Sequence, residues 1–241
     1  MGTLNPATGK KEFIFISSAS EISMGKSVHE QLVQKYKLST DKVKGERLKE
    51  IGARVSSVSD RKDYPYNFYL LQKDEINAFT TPGGNIYVFS GLFDKLKSDD
   101  EIASVLSHEI GHCAARHVVK KIQAELGYNI IGTLVFASLK TSDARTQQIA
   151  SAASSITNLV MLGYSREDEY AADKLGVKYM HLAGYDPQAM VKALQMLKEN
   201  SKGAQGPLIL RSHPYLDDRV VRVQSEIANL KNSLPKQQAG S

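Results

Sequence analysis

The sequence predicts an α+β fold, mainly helical, with a small β-sheet beside one central helix. Three observations predict it. Apolar residues recur with a helical period through most of the 241 residues. One tract, from Tyr66 to Phe93, breaks that period with β-rich runs. Two stretches, beginning at Ser98 and Ser165, open with capping signals and then carry histidines or acids four residues apart. A composition of 41% hydrophobic and 24% charged residues fits a folded globular chain rather than a disordered or fibrous one. We expect an N-terminal arm over residues 1–19, a single domain over 20–232 and a flexible tail over 233–241.

Residues 1–12 are polar and carry Gly and Pro, and Phe13-Ile14-Phe15-Ile16 reads as a short strand or an anchoring apolar segment. The spacing of Ile22, Met24, Val28, Leu32, Val33 and Tyr36 predicts an amphipathic helix from about Ser20 to Tyr36. Ser39-Thr40-Asp41 offers an N-cap for a second helix running to about Val58. Phe68-Tyr69-Leu70-Leu71 and Ile86-Tyr87-Val88-Phe89 then read as strands of a hairpin or small sheet, separated by the turn chemistry of Thr81-Pro82-Gly83-Gly84. An edge strand in this tract is the expected place for an extended peptide to pair, main chain to main chain. Asn77, Ala78, Gly84, Asn85 and Ile86 are the candidate contacts.

Ser98 and Glu101 have capping-box spacing, so a helix starts ten residues before His108. It contains His108-Glu109-Ile110-Gly111-His112, whose two imidazoles share a face one turn apart. That pair can chelate one zinc ion, with Glu109 placed to act as a base on a water there. Chance occurrence, with both histidines simply satisfied in a core, is the alternative for the string alone. A two-histidine site is also incomplete, because catalytic zinc takes three protein ligands. His117 does not supply the third: nine residues past His108, it falls on the opposite face of a continuous helix and reads as solvent-facing or structural. The longer zinc pattern with a third downstream histidine fails too, since Ala115 and Val118 stand where it wants Gly and His. Cys113 reads as a small buried hydrophobe, and as the single cysteine it excludes an intrachain disulfide or a Cys-based zinc finger.

Residues 122–163 read as further helix, with a bend or a helical hairpin near Gly127 and Gly132. Ser165 and Asp168 repeat the capping-box spacing, and Gly184 supplies the stop of the helix that follows. Glu169 and Asp173 share a face on it. Either the pair belongs to a salt-bridged surface, or Glu169 is the third zinc ligand and Asp173 takes the spare ring N–H of a ligating histidine. Asp186-Pro187 starts another helix to about Asn200, followed by a Gly-bearing loop over 201–206. Val220, Val223, Ile227 and Leu230 make the apolar stripe of a last helix.

Taken together, Asn5-Pro6-Ala7-Thr8-Gly9-Lys10, Asn77-Ala78-Phe79, Pro82 to Val88, Ser107 to His117, Ser165 to Asp173, Ser212-His213-Pro214 and Arg219 carry a family resemblance over most of the chain. The chain resembles the zinc metallopeptidases of peptidase family M-forty-eight, the group of the CAAX prenyl proteases, HtpX, Oma and the periplasmic BepA-type enzymes. The resemblance implies a gluzincin-like fold, one zinc ion per chain, and polypeptide substrates. It implies His108, His112 and Glu169 as ligands, Asp173 behind them, and Arg219 paired with Glu169 or another site acid. His213, near the metal in the family's pattern, becomes a stabiliser of the developing oxyanion or an inhibitory extra ligand. A latent or chaperone-like factor that binds unfolded chains is the competing reading.

Charge and hydropathy bound the partners. The net charge is +5, but the basic residues are scattered and there is no Trp, so no nucleic-acid footprint is present. The longest apolar runs fall far short of the ~20 residues a bilayer requires. No charged and apolar leader opens the chain, and Pro6 stands where a myristoylation signal wants Ser or Thr. The expectation is a mature or trimmed chain of the periplasm or cell envelope, with peripheral or lipid-anchored membrane association left open.

Overall fold

The computed structural model describes residues 2–124, 156, 158, 162–201 and 207–233. The expected further helix over 122–163, the loop over 201–206 and the tail over 233–241 lie almost wholly outside these residues. Within residues 1–12, read as an arm, β1 (Thr3–Leu4) and β2 (Lys11–Glu12) form a small hairpin. Buried Asn5 closes it, donating to Glu12 Oε2 at 2.9 Å while its own Oδ1 accepts from the Ala7 amide. Two helices follow, α1 (Ser18–Lys35) and α2 (Lys42–Ser56). Both start where a side-chain oxygen takes an orphan amide: Ser17 accepts from Ser20 N, and Asp41 from Lys44 N.

The β-rich tract is a three-stranded sheet of β3 (Asn67–Leu71), β4 (Ala78–Thr81) and β5 (Asn85–Phe89), in the order β3-β5-β4. The two strongest β runs do not form a hairpin with each other. They lie parallel, Phe68 opposite Ile86, and β4 returns antiparallel on the other side with Ala78 opposite Val88. β5 is therefore central, and its alternation divides two cores. Ile86 and Val88 join Leu48, Ile51, Phe68, Leu106 and Ile110. Tyr87 and Phe89 join Val28, Leu32, Leu71 and Phe79 on the opposite face, under α1.

A short α3 (Ser90–Phe93) leads to α4 (Asp99–Ala114), capped by Ser98 accepting from Glu101 N at 3.2 Å. Every residue of α4 from Ile102 to Ala114 is buried. A helix covered all round is a core helix, not a surface one, and this one carries two histidines and a glutamate through the middle of the protein. Residues 117–124 are helical and constitute α5. Then come α6 (Arg166–Leu182), α7 (Gln188–Glu199), the single turn α8 (Ile209–Ser212) and α9 (Leu216–Ser233). The capping box at Ser165 and Asp168 is formed in both directions, and Gly184 takes a left-handed φ of 77° just past the end of α6. At α7 the cap differs from expectation: Asp186 Oδ1 accepts from Gln188 N, and the helix begins after Pro187 rather than on it.

Helices α4 and α6 come close together at Gly111, where an added Cβ would lie 2.7 Å from the Ala172 carbonyl oxygen. That contact brings the histidines of one helix against the acids of the other. Gly111→Ala gains about 1 kcal/mol in helix propensity, but overpacking against a backbone atom costs about 1–3 kcal/mol. The carbonyl cannot yield without moving α6, so we expect net destabilisation in urea melts together with a lower zinc content. A variant as stable as wild type would mean the helices part freely.

Candidate metal centre

Four residues from three separate segments converge. His108 and His112 come from α4, Glu169 from the first turn of α6, and His213 from the residue after α8. One ligand atom from each lies within 4.8 Å of every other, and all four residues are buried. His108 Nε2 is 3.1 Å from His112 Nε2 and 3.6 Å from Glu169 Oε2, and His112 Nε2 is 3.4 Å from Glu169 Oε1. Donors about 2.0–2.1 Å from a tetrahedral zinc stand about 3.3 Å apart, and the two ring nitrogens and the Glu169 carboxylate stand at distances close to that. His213 Nδ1, 3.2 Å from His108 Nε2 and 3.0 Å from Glu169 Oε1, lies at the fourth corner. Among the described residues, Glu109 Oε2 and His213 Nε2 have no hydrogen-bond partner although both are buried. Buried polar atoms left in that state are costly unless something else satisfies them.

His108, His112 and Glu169 each have a partner behind them. Asp173 Oδ1 is 2.8 Å from His108 Nδ1, which leaves Nε2 free to face the centre. Arg219, from α9, holds Asp173 with two parallel bonds of 2.7 Å and reaches Glu169 Oε2 at 2.6 Å. His112 Nδ1 is 2.9 Å from His117 Nδ1, and the Tyr164 ring stacks on the His112 ring at 4.0 Å between centroids. Glu109 Oε1 is 3.4 Å from His213 Nε2.

The electrostatics favour a cation. Burial pushes the His112 imidazole down to about 4, and burial with the Arg219 charge lowers His108, so both rings are neutral and able to ligate. Burial alone would raise the Glu169 carboxyl, but Arg219 and His213 beside it hold it well below the usual range. Asp173 is likewise lowered, the Arg219 charge and hydrogen bonds outweighing burial. Glu109 is the exception, raised by burial.

Two sequence expectations need correction. His117 does not lie on the opposite face. Two residues past the end of α4, Arg116 takes a φ of +59° and turns His117 inward until it is 4% exposed and behind His112. Gly84, Asn85 and Ile86 are not at a free edge either. Ile86 is paired on both sides, with Phe68 and Thr80, Asn85 bonds to Asn67 and Pro82, and Gly84 packs on Tyr64. Of the expected peptide contacts, Ala78 lies on the edge strand β4 and Asn77 immediately precedes it. No short-range signal marks His117 or Tyr164: the left-handed turn at Arg116 brings the first to His112, and the second stacks on it from a distant part of the sequence.

A mainly helical α+β frame with a small sheet, and a buried His-His-Glu set beside a glutamate, defines a gluzincin-like zinc metallopeptidase domain. The chain belongs to peptidase family M48, whose family model matches residues 42–227. One zinc ion is its cofactor, and the buried cluster is able to hold it. The β-barrel assembly-enhancing protease of Escherichia coli is 27% identical over 233 residues, 94% of this chain and 47% of that protein. The mitochondrial metalloendopeptidase OMA1 of Schizosaccharomyces pombe is 26% identical over 232 residues, 91% of this chain and 64% of that protein. Its namesake in Arabidopsis thaliana is 33% identical over 159 residues, 66% and 31% respectively. The chain thus spans about half the length of the bacterial relative. No helix among the described residues is long and apolar enough to cross a membrane.

Proposed function

We propose that this chain is a zinc-dependent endopeptidase that hydrolyses peptide bonds of misfolded or unassembled cell-envelope proteins. The observation that carries the chemistry is Glu109, buried beside the His-His-Glu set with one carboxylate oxygen unpartnered among the described residues. His108, His112 and Glu169 would hold the ion. Bound zinc supplies Lewis acidity, making water a nucleophile at neutral pH and polarising the scissile carbonyl. Glu109 takes a proton from the attacking water and delivers it to the leaving amine. Asp173 and Arg219 keep His108 and Glu169 in place, and β4, buried along its whole length in this closed form, would meet the substrate backbone along its edge once uncovered. The bacterial relative's name, a protease that enhances β-barrel assembly, supports an envelope location and unassembled polypeptides as the substrate class.

A second reading, latency, is favoured by the closure of the site. The cavity lined by His108, Glu109, Asp173, His213 and Arg219 measures about 30 Å³, room for about one or two waters and none for a peptide. His213 stands where substrate or water would approach, so it must swing away before a peptide enters. Once out, the same imidazole is available to the oxyanion. The test is cleavage of casein by the zinc-loaded chain, with and without a chelator. We expect slow, chelator-sensitive cleavage by wild type and faster cleavage by His213→Ala. A fall in rate for His213→Ala, on the order of the 10²-fold typical of a lost oxyanion donor, would discard latency in favour of the catalytic role. Cleavage indifferent to chelation would discard the zinc mechanism.

A further inference from the structure

We propose that His117 is a positioning residue for His112, and that Glu21 on α1 fixes the turn that puts it there. The inference rests on the reading of His112 as a zinc ligand. Residue 117 is five positions after His112, which on a continuous helix is about 140° around the axis. Contact between the two rings therefore needs the helix to end and the chain to reverse. Helix α4 ends at Ala114, and Arg116 takes a left-handed φ of +59°. Non-glycine residues adopt that conformation at a cost of roughly 1–2 kcal/mol, so surrounding structure must impose it.

The imposing group is Glu21. It is wholly buried in the first turn of α1, and its Oε1 accepts a hydrogen bond from Arg116 Nη2. The same guanidinium nitrogen donates to the Ile16 carbonyl at 2.5 Å. Arg61 completes the neutralisation with Nη1 at 3.3 Å from Glu21 Oε2. A buried carboxylate facing two guanidiniums is a demanding arrangement that tolerates no loss of a partner. Its geometric effect is to lock the Arg116 turn.

The donors and acceptors then assign themselves. His112 presents Nε2 to the ligand cluster, so its Nδ1 carries the ring proton. His117 Nδ1, 2.9 Å away, accepts it. The remaining proton of His117 is on Nε2, 3.3 Å from Asp168 Oδ1. Asp168 is the acid of the capping box that starts α6, one residue before Glu169. The line Asp168–His117–His112 thus joins the N-terminus of the glutamate helix to the back of the histidine helix. It does for His112 what Asp173 does for His108, with a neutral ring in place of a carboxylate. A core histidine has one donor and one acceptor to satisfy, and any partners would serve; this one uses both to bridge two ligand-bearing helices.

The test measures zinc affinity by chelator competition, the melting of the zinc-free proteins, and the absorption spectrum of the cobalt(II)-substituted forms. We expect His117→Leu to lower zinc affinity by about 10–100-fold and to alter the cobalt spectrum, with zinc-free melting unchanged. His117→Gln, whose amide oxygen can accept the His112 N–H, should restore most of the affinity, and Glu21→Gln should show an intermediate loss. Unchanged affinity in His117→Leu overturns the proposal. If that variant melts far below wild type, His117→Gln decides: wild-type affinity and spectrum support the relay, and a loss without rescue overturns it. His112→Ala separates the two levels. Undiminished zinc binding there defeats the ligand assignment itself, whereas loss in His112→Ala with retention in His117→Leu defeats only the relay.

Discussion

Replacing Glu109 by Gln is expected to lower the cleavage rate by about 10²–10⁴-fold, the usual contribution of a positioned general base, while zinc stays bound. The side chain is 1% exposed, its Oε1 is 3.4 Å from His213 Nε2, and it is not one of the four clustered ligand residues. Glutamine keeps the shape and removes a buried charge, so the fold should be undisturbed or slightly firmer. Burial already raises the carboxyl of Glu109, which is the direction in which neutralisation relieves the protein. Peptide cleavage and metal content are the two readouts. Wild-type turnover would remove Glu109 from the chemistry, and loss of zinc would make it a ligand instead.

The second large effect is expected at Arg219, which is 3% exposed and faces Glu169 and Asp173 together. Three buried carboxylates, counting Glu109, are balanced by one guanidinium and one divalent ion. Without the ion, Arg219 is the only permanent cation contacting these acids among the described residues. Arg219→Leu should therefore destabilise the zinc-free protein by about 3–5 kcal/mol, the range for breaking one side of a buried pair. For a protein of this size that corresponds to a fall in melting temperature on the order of 10 °C. The loss should be smaller with zinc bound, because the ion still neutralises part of the cluster. Arg219→Lys keeps the charge but not the two-pronged hold on Asp173, and should fall between. Equal melting of Arg219→Leu and wild type without zinc would show that the acids bind protons instead.

How much of this was legible in the sequence follows from the range over which each signal acts. The caps at Asp41, Ser98 and Ser165 are local, and all three accept the expected amide. Four-residue spacing put His108 with His112 and Glu169 with Asp173 on common faces, and the structure turns those faces toward each other. The sheet order was not legible, because a parallel pair separated by an intervening strand has the same local pattern as a hairpin. The same blindness moved Gly84, Asn85 and Ile86 to an edge they do not occupy. Arg116 is the sharpest failure. Its left-handed turn carries no Gly or Asn to announce it, and the carboxylate that stabilises it is 95 positions away. Helical periodicity then sent His117 the wrong way.

Cys113, the residue after His112, has a further use. It is 4% exposed, its Sγ lies 2.8 Å from Thr80 Oγ1 on β4, and burial pushes its thiol up to about 12. A thiol in that condition does not react with an alkylating reagent from the folded state. It reacts when β4 and the histidine helix separate. Since the chain has a single cysteine, the rate of its modification is a stopwatch on that opening, free of background from any other site. Ligands that bind only the closed form should slow the stopwatch in proportion to their occupancy. The protein therefore carries its own reporter of how often the catalytic helix comes away from the strand that would hold a substrate.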